Sequence, residues 1–179
     1  MNSKVIAAVR NDAELKDAIK SDVCIIFMLA PNIEDIKLQA ELVHSAGKKI
    51  FIHIDLAVGI GKDEYGMRFV KNVGVDGVIS TRTNMIKMAS KLNMHTVQRF
   101  FIVDSHSIDT SIEALNQSKA EMIEIMPGTL SKVISRMKDK IDVPIIAGGL
   151  IETKAEIDGV LSCGAAAIST GKKEFWRNF

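Results

Sequence analysis

Cysteine is scarce: Cys24 and Cys163 are the only two in 179 residues, and they stand far apart. That spacing matches no zinc site. Each is flanked by apolar or small residues, so both are expected to be buried free thiols, a usage that suits a reducing cytoplasm. Long apolar runs are missing as well. No stretch reaches the roughly 18 residues of a membrane span, and the apolar run in "MNSKVIAAVRNDAELKD" is too short for a signal peptide. Excess charge is absent too. A net charge of +1 supplies no global field toward nucleic acid or an anionic membrane, so either partner would need a local patch. Linkers rich in Pro, Gly or Ser and low-complexity tracts do not occur, and the chain, residues 1–179, reads as a single domain.

What is present is one alternation, repeated. Apolar, often β-branched runs occur at 5–9, 23–29, 49–55, 77–81, 96–104, 122–126, 144–149 and 166–170. Helix-like segments follow each of them, from "DAELKDAIK" to a final "KKEFWRNF", and several close on Gly: Gly47, Gly74 and Gly164. Strands alternating with helices imply parallel β-structure with helical crossovers, and near-continuous apolar runs imply strands covered on both faces. Eight such units predict an α/β fold, a small (β/α)8 TIM-type barrel. The chain is shorter than the usual barrel, which leaves room for one degenerate element. A doubly wound open sheet is the alternative.

A barrel builds its site from the C-terminal ends of its strands. Here those ends read "HIDL", "STRTN", "VDSHS", "EIMPG", "AGGL" and "STG", and the opposite face is expected to carry nothing comparable. The last two tips suit a phosphate cradle. Gly148 and Gly149 let backbone approach an oxyanion, Ser169 or Thr170 offers a hydroxyl, and N–H groups near Gly171 and Lys172 open a last helix toward the anion. Period-two alternation turns His53 and Asp55 inward, away from the face shared by Ile52 and Ile54, and does the same for Glu124 between Ile123 and Ile125. A carboxylate inside a barrel needs a partner. Arg82 or Arg99 is a structural candidate for Glu124, and ligand hydroxyls or a divalent metal are the functional alternatives. No inward lysine occurs in the fourth to eighth strands to form a Schiff base, and no Ser-His-Asp order stands out.

Together "HIDLAVGIGKDEYG", "DGVISTRTNMIKMA", "VQRFFIVDS", "IEIMPG", "IIAGGLIETKAEI" and "GAAAIST" with the later "FW" resemble the glycerol uptake operon antiterminator regulatory protein family (GlpP), from about residue 5 to Trp176. The resemblance implies a small (β/α)8 barrel that senses glycerol 3-phosphate as effector. It also implies action on the leader mRNA of a glycerol-utilisation operon, allowing transcription past a terminator and stabilising the message. His53, Asp55, Arg82, Asp104, Glu124 and the Gly148–Gly149 pair fall at matching positions. No cofactor is implied, a divalent metal is not required, no membrane partner is expected, and the oligomeric state is left open.

RNA contacts are less legible. Lys132, Arg136 and Lys140, four residues apart on the sixth helix, form one basic stripe, and Lys172, Lys173 and Arg177 form a second. There is no aromatic-rich RNA-binding sheet motif and no Arg-Gly run. The competing reading is a barrel enzyme, a lyase, isomerase or phosphatase acting on a small phosphorylated substrate. It would require Asp55, Asp104 and Glu124 to converge on one pocket as acid, base or metal ligands.

Overall fold

The structure, a computed structural model, describes residues 3–177. Eight parallel strands close in sequence order into a barrel, which excludes the open sheet. They are β1 (Val5–Val9), β2 (Ile25–Met28), β3 (Lys49–His53), β4 (Gly77–Ser80), β5 (His95–Phe101), β6 (Met122–Met126), β7 (Ile145–Gly148) and β8 (Ala167–Thr170). Seven helices connect them: α1 (Asp12–Ile19), α2 (Ile36–Ser45), α3 (Glu64–Asn72), α4 (Thr83–Lys91), α5 (Ser105–Ser118), α6 (Ser131–Lys138) and α7 (Lys154–Ser162). Among the described residues no helix is long and apolar enough to cross a membrane.

Alternation along each strand separates two cores. Val78, Ile123, Ile125 and Ile168 face outward into the layer shared with the helices. Ile6, Phe27, Phe51, Ile79, Val97 and Ile146 point inward and fill the barrel. The helix starts are capped as short polar side chains require: Asn11, Asp63, Asp104 and Thr153 each accept a backbone N–H three residues on. Gly47, Gly74 and Gly164 follow helix ends with φ of 71°, 92° and 104°, the left-handed conformation in which glycine carries no Cβ penalty.

The degenerate element is the eighth helix. "KKEFWRNF" forms only a 3-10 turn over Lys173–Trp176, and residues 178 and 179 of that predicted helix lie outside the described residues. Phe175 and Trp176 are buried there and take the place of a helix, and Trp176 Nε1 donates to the Thr170 carbonyl at 2.9 Å. The cysteines depart from expectation. Both are free, but Cys24 is exposed and Cys163 only half-buried. Cys24 lies before β2 begins, at the barrel rim, where apolar sequence neighbours do not imply enclosure.

Candidate functional site

Above the apolar interior, toward the C-terminal mouth, the inward positions become polar. Glu124 of β6 is fully buried, and Arg99 sits directly opposite it on β5. Arg99 Nε donates to Glu124 Oε2 at 2.6 Å, and Ser169 Oγ of β8 donates to Oε1 at 2.5 Å. Gly148 makes this cluster sterically possible. A Cβ there would lie 2.4 Å from Glu124 Oε1 and 2.7 Å from Ser169 Oγ. In this arrangement the Ser169 proton is used on Glu124, and Gly148 makes room for the carboxylate.

β3 ends at His53, and Asp55 falls in a 3-10 turn over Ile54–Leu56, so the strand alternation that was to aim it inward does not reach it. It meets the mouth by another route. Ser80 Oγ donates to Asp55 Oδ1 at 2.7 Å, while the Thr81 N–H and hydroxyl donate to Oδ2 at 2.8 and 3.0 Å. Burial pushes this carboxyl up, but the hydrogen bonds from Thr81 and Ser80 outweigh burial and hold it below its ordinary value. Arg82 Nε lies 3.7 Å from Asp55 Oδ1, with a side chain 54% exposed, so its guanidinium hangs over the mouth with donors to spare.

His53 is buried in the mouth, and its Nδ1 has no hydrogen-bond partner among the described residues. Burial, and then the nearby Arg99 charge, push its pKa down to about 4 from 6.5. A neutral imidazole with an unpaired ring nitrogen is left facing the polar cluster. Between about pH 6.5 and about pH 4 the unfolded chain takes up a proton at His53 that the folded chain refuses. Stability is therefore expected to fall as pH drops through that window. Urea melts across it should show a shallower pH slope for His53→Gln, and an unchanged slope would contradict the burial of a neutral ring.

The tips of β7 and β8 retain features of an anion seat. Gly149 has φ 75°, and an added Cβ would press on Met126 Cε at 3.0 Å. Thr170 Oγ1 accepts the Lys172 N–H at 3.1 Å, which closes a small turn around exposed Gly171. The four-residue 3-10 turn that follows contributes no helix dipole, contrary to expectation. A cation takes its place: a Cβ on Gly171 would stand 3.8 Å from an Arg10 guanidinium nitrogen, so exposed Arg10, just past β1, flanks the β8 tip. Its position after "VIAAV" is the one signal by which the sequence could have included it. Closure of β8 onto β1 is what brings it there.

Asp104 does not join this group. It is the exposed N-cap of α5, in a reciprocal capping box with Ser107, whose backbone N–H holds the carboxyl below its ordinary value. Together with Lys132 and Arg136 it lines a separate hollow of about 370 Å³ between the starts of α5 and α6. Asp55, Asp104 and Glu124 thus have three separate sets of partners. Among the described residues no group of three or more His, Cys, Asp or Glu side chains is placed to hold a metal ion. The basic stripe is partly neutralised, since Asp109 lies 4.0 Å from Arg136 and 3.3 Å from Lys140, and Lys140 falls beyond the end of α6. In the second patch Lys173 pairs with Asp17 at 2.5 Å, while Lys172 and Arg177 are exposed.

Residues 5–176 match the family described as "Glycerol-3-phosphate responsive antiterminator". The chain is 38% identical over 173 residues to the uncharacterized protein YgcP of Escherichia coli K12, an alignment covering 96% of this chain and 91% of that one. Among solved structures it is similar to the glycerol uptake operon antiterminator regulatory protein of Listeria monocytogenes. That match has a TM-score of 0.93 and 31% identity, covering 98% of this chain and 96% of the other. A glycerol uptake operon antiterminator-related protein of Thermotoga maritima has a TM-score of 0.87 and 28% identity, covering 97% and 98%.

Proposed function

Because the chain belongs to the glycerol-3-phosphate responsive antiterminator family, a family of regulators and not of enzymes, we propose that it binds glycerol 3-phosphate in the barrel mouth and, in response, binds and stabilises the leader mRNA of a glycerol-utilisation operon in the cytoplasm. The observation that carries this reading is the family match across residues 5–176. The mouth supports it chemically. Backbone around Gly149 and Gly171, the Thr170 hydroxyl and the Arg10 guanidinium stand at the neighbouring tips of β7, β8 and β1 and offer a seat for a dianion. His53 Nδ1 is an unused partner for a glycerol hydroxyl, and Asp55 retains acceptor capacity for another. Glu124 acts behind them by fixing Arg99, and neither metal nor cofactor is required. The enzyme reading needed three convergent carboxylates, and the separate partners of Asp55, Asp104 and Glu124 leave it without its machinery.

Glycerol 3-phosphate at 100 times its Kd is expected to add about 2.7 kcal/mol of stability. For a chain of this size that raises the Tm by roughly 5–11 °C. Glycerol at the same concentration should leave the Tm unchanged. The decisive measurement pairs this thermal shift with gel retardation of leader RNA with and without glycerol 3-phosphate. Equal shifts for glycerol and its phosphate would refute the anion seat. Retardation indifferent to glycerol 3-phosphate would refute the effector role.

A further inference from the structure

The N-terminal end of the barrel, expected to be featureless, carries a second arrangement. Between the starts of β2, β3, β5 and β6 lies a hollow of about 270 Å³, lined chiefly by Cys24, Ile25, Lys49, Phe51, His95 and Met122. Its floor is aromatic. Buried Phe51 stacks on Phe27 at 5.7 Å and on the His95 imidazole at 5.8 Å, the latter pair only 5° from parallel. Two hydrogen bonds fix the imidazole by its edge, Lys49 Nζ to Nε2 at 3.0 Å and Nδ1 to Glu121 Oε2 at 2.8 Å. An ammonium only donates, so Nε2 is the acceptor and Nδ1 carries the proton. Both ring nitrogens are thereby used, yet the side chain remains 45% exposed, and what it offers is a ring face held in place.

The surrounding charge is set by topology. Helices run antiparallel to the strands, so every helix C-terminus surrounds this face and every helix N-terminus surrounds the mouth. Lys4, Lys20, Lys91, Lys119 and Lys138, all exposed, stand around the N-terminal face at strand starts and helix ends. The mouth has Asp35, Asp63 and Asp104 at its helix starts. Lysine at helix C-termini is favoured by the dipole alone and would not by itself define a site. The aromatic hollow inside the lysine ring is the independent feature. A small anion would need a cation aimed into the hollow, and Lys49, the only one lining it among the described residues, is engaged with His95. A polyanion carrying flat rings satisfies both parts: its phosphates meet the lysines and one ring stacks on His95.

We propose that the N-terminal face is the RNA-binding surface, with an unpaired base of a single-stranded segment lodged against His95 and the backbone crossing the lysine ring. This rests on the RNA-binding reading above and places RNA at the end of the barrel opposite the effector. Three strands join the two ends: β3 carries Lys49 and His53, β5 carries His95 and Arg99, and β6 begins beside Glu121 and carries Glu124.

The test is fluorescence anisotropy of labelled leader RNA between 50 and 200 mM salt, a range in which counterion release is read directly. Replacing Lys20, Lys91, Lys119 and Lys138 together with Gln should lower the log–log salt slope by about 0.7 per lost contact, up to about 2.8. His95→Ala should weaken binding roughly 5- to 150-fold with little change of slope, as loss of one stacked base does. Both variants should keep the glycerol 3-phosphate thermal shift, which reports folding and an intact mouth. Wild-type affinity and slope in the fourfold variant would overturn this surface while leaving RNA binding standing. So would loss of slope confined to a variant with Lys132, Arg136 and Lys140 replaced by Gln, which would place RNA along α6. Failure of the wild-type protein to bind the transcript would remove the RNA reading and this surface together.

Discussion

Arg99→Met is expected to cost about 3–5 kcal/mol, the loss seen when one member of a buried ion pair is removed. The guanidinium occupies a position 7% exposed, and the Glu124 carboxylate facing it is 0% exposed. Without Arg99, Glu124 keeps only the Ser169 hydroxyl, too little to offset removal from water. Urea denaturation should register the loss directly. Glu124→Gln should fall in the same direction, since Arg99 would then be the uncompensated charge. The double variant Arg99→Met/Glu124→Met should recover much of the deficit, because matched apolar volume replaces a pair whose desolvation consumes most of its attraction. A cost below about 1 kcal/mol for Arg99→Met would show that water reaches this layer and that the pair behaves as a surface one.

Trp176→Ala is expected to cost a similar amount, about 3–5 kcal/mol, as large-to-small replacements in a core do. The reason lies in the missing eighth helix. Trp176 is 2% exposed and, with Phe175, covers strand surface that a full helix would otherwise cover. Its backbone carbonyl also accepts the Asp22 N–H at 3.0 Å, tying the last turn to the segment before β2. Trp176→Phe separates packing from polarity. Most of the apolar contact survives, but the Thr170 carbonyl loses its indole donor, a loss of about 1–3 kcal/mol. Because that carbonyl belongs to the β8 tip, the Phe variant should also bind glycerol 3-phosphate more weakly, measured by titration calorimetry. Unchanged affinity in a folded Trp176→Phe variant would show that the tip is held without the indole.

The residues differ in how far their sequence context revealed them. Glu124 was legible because two isoleucines bracket it and a strand has a period of two. Its partner was not, since Arg82 and Arg99 both lay within the possibilities until register set Arg99 opposite Glu124. Asp55 was placed at the mouth by a period that does not apply to it, because β3 gives way to a 3-10 turn before reaching it. Arg10 and His95 were not among the candidate site residues, for a common reason. Each stands at the end of a strand, where periodicity carries no information, and each gains its neighbours from strands distant in sequence.

The sequence by itself determined the alternation of strand and helix, the eightfold count, the apolar faces, the glycine-closed helix ends and the family. These depend on residue type and local period, which need no partner to be read. Only the tertiary structure decided which polar groups meet: Arg99 and Ser169 on Glu124, Ser80 and Thr81 on Asp55, Arg10 beside Gly171, and His95 between Lys49 and Glu121. Those meetings follow from barrel closure and strand register. Neither quantity is encoded in any one segment, because each is fixed only when all eight strands pack around a common interior.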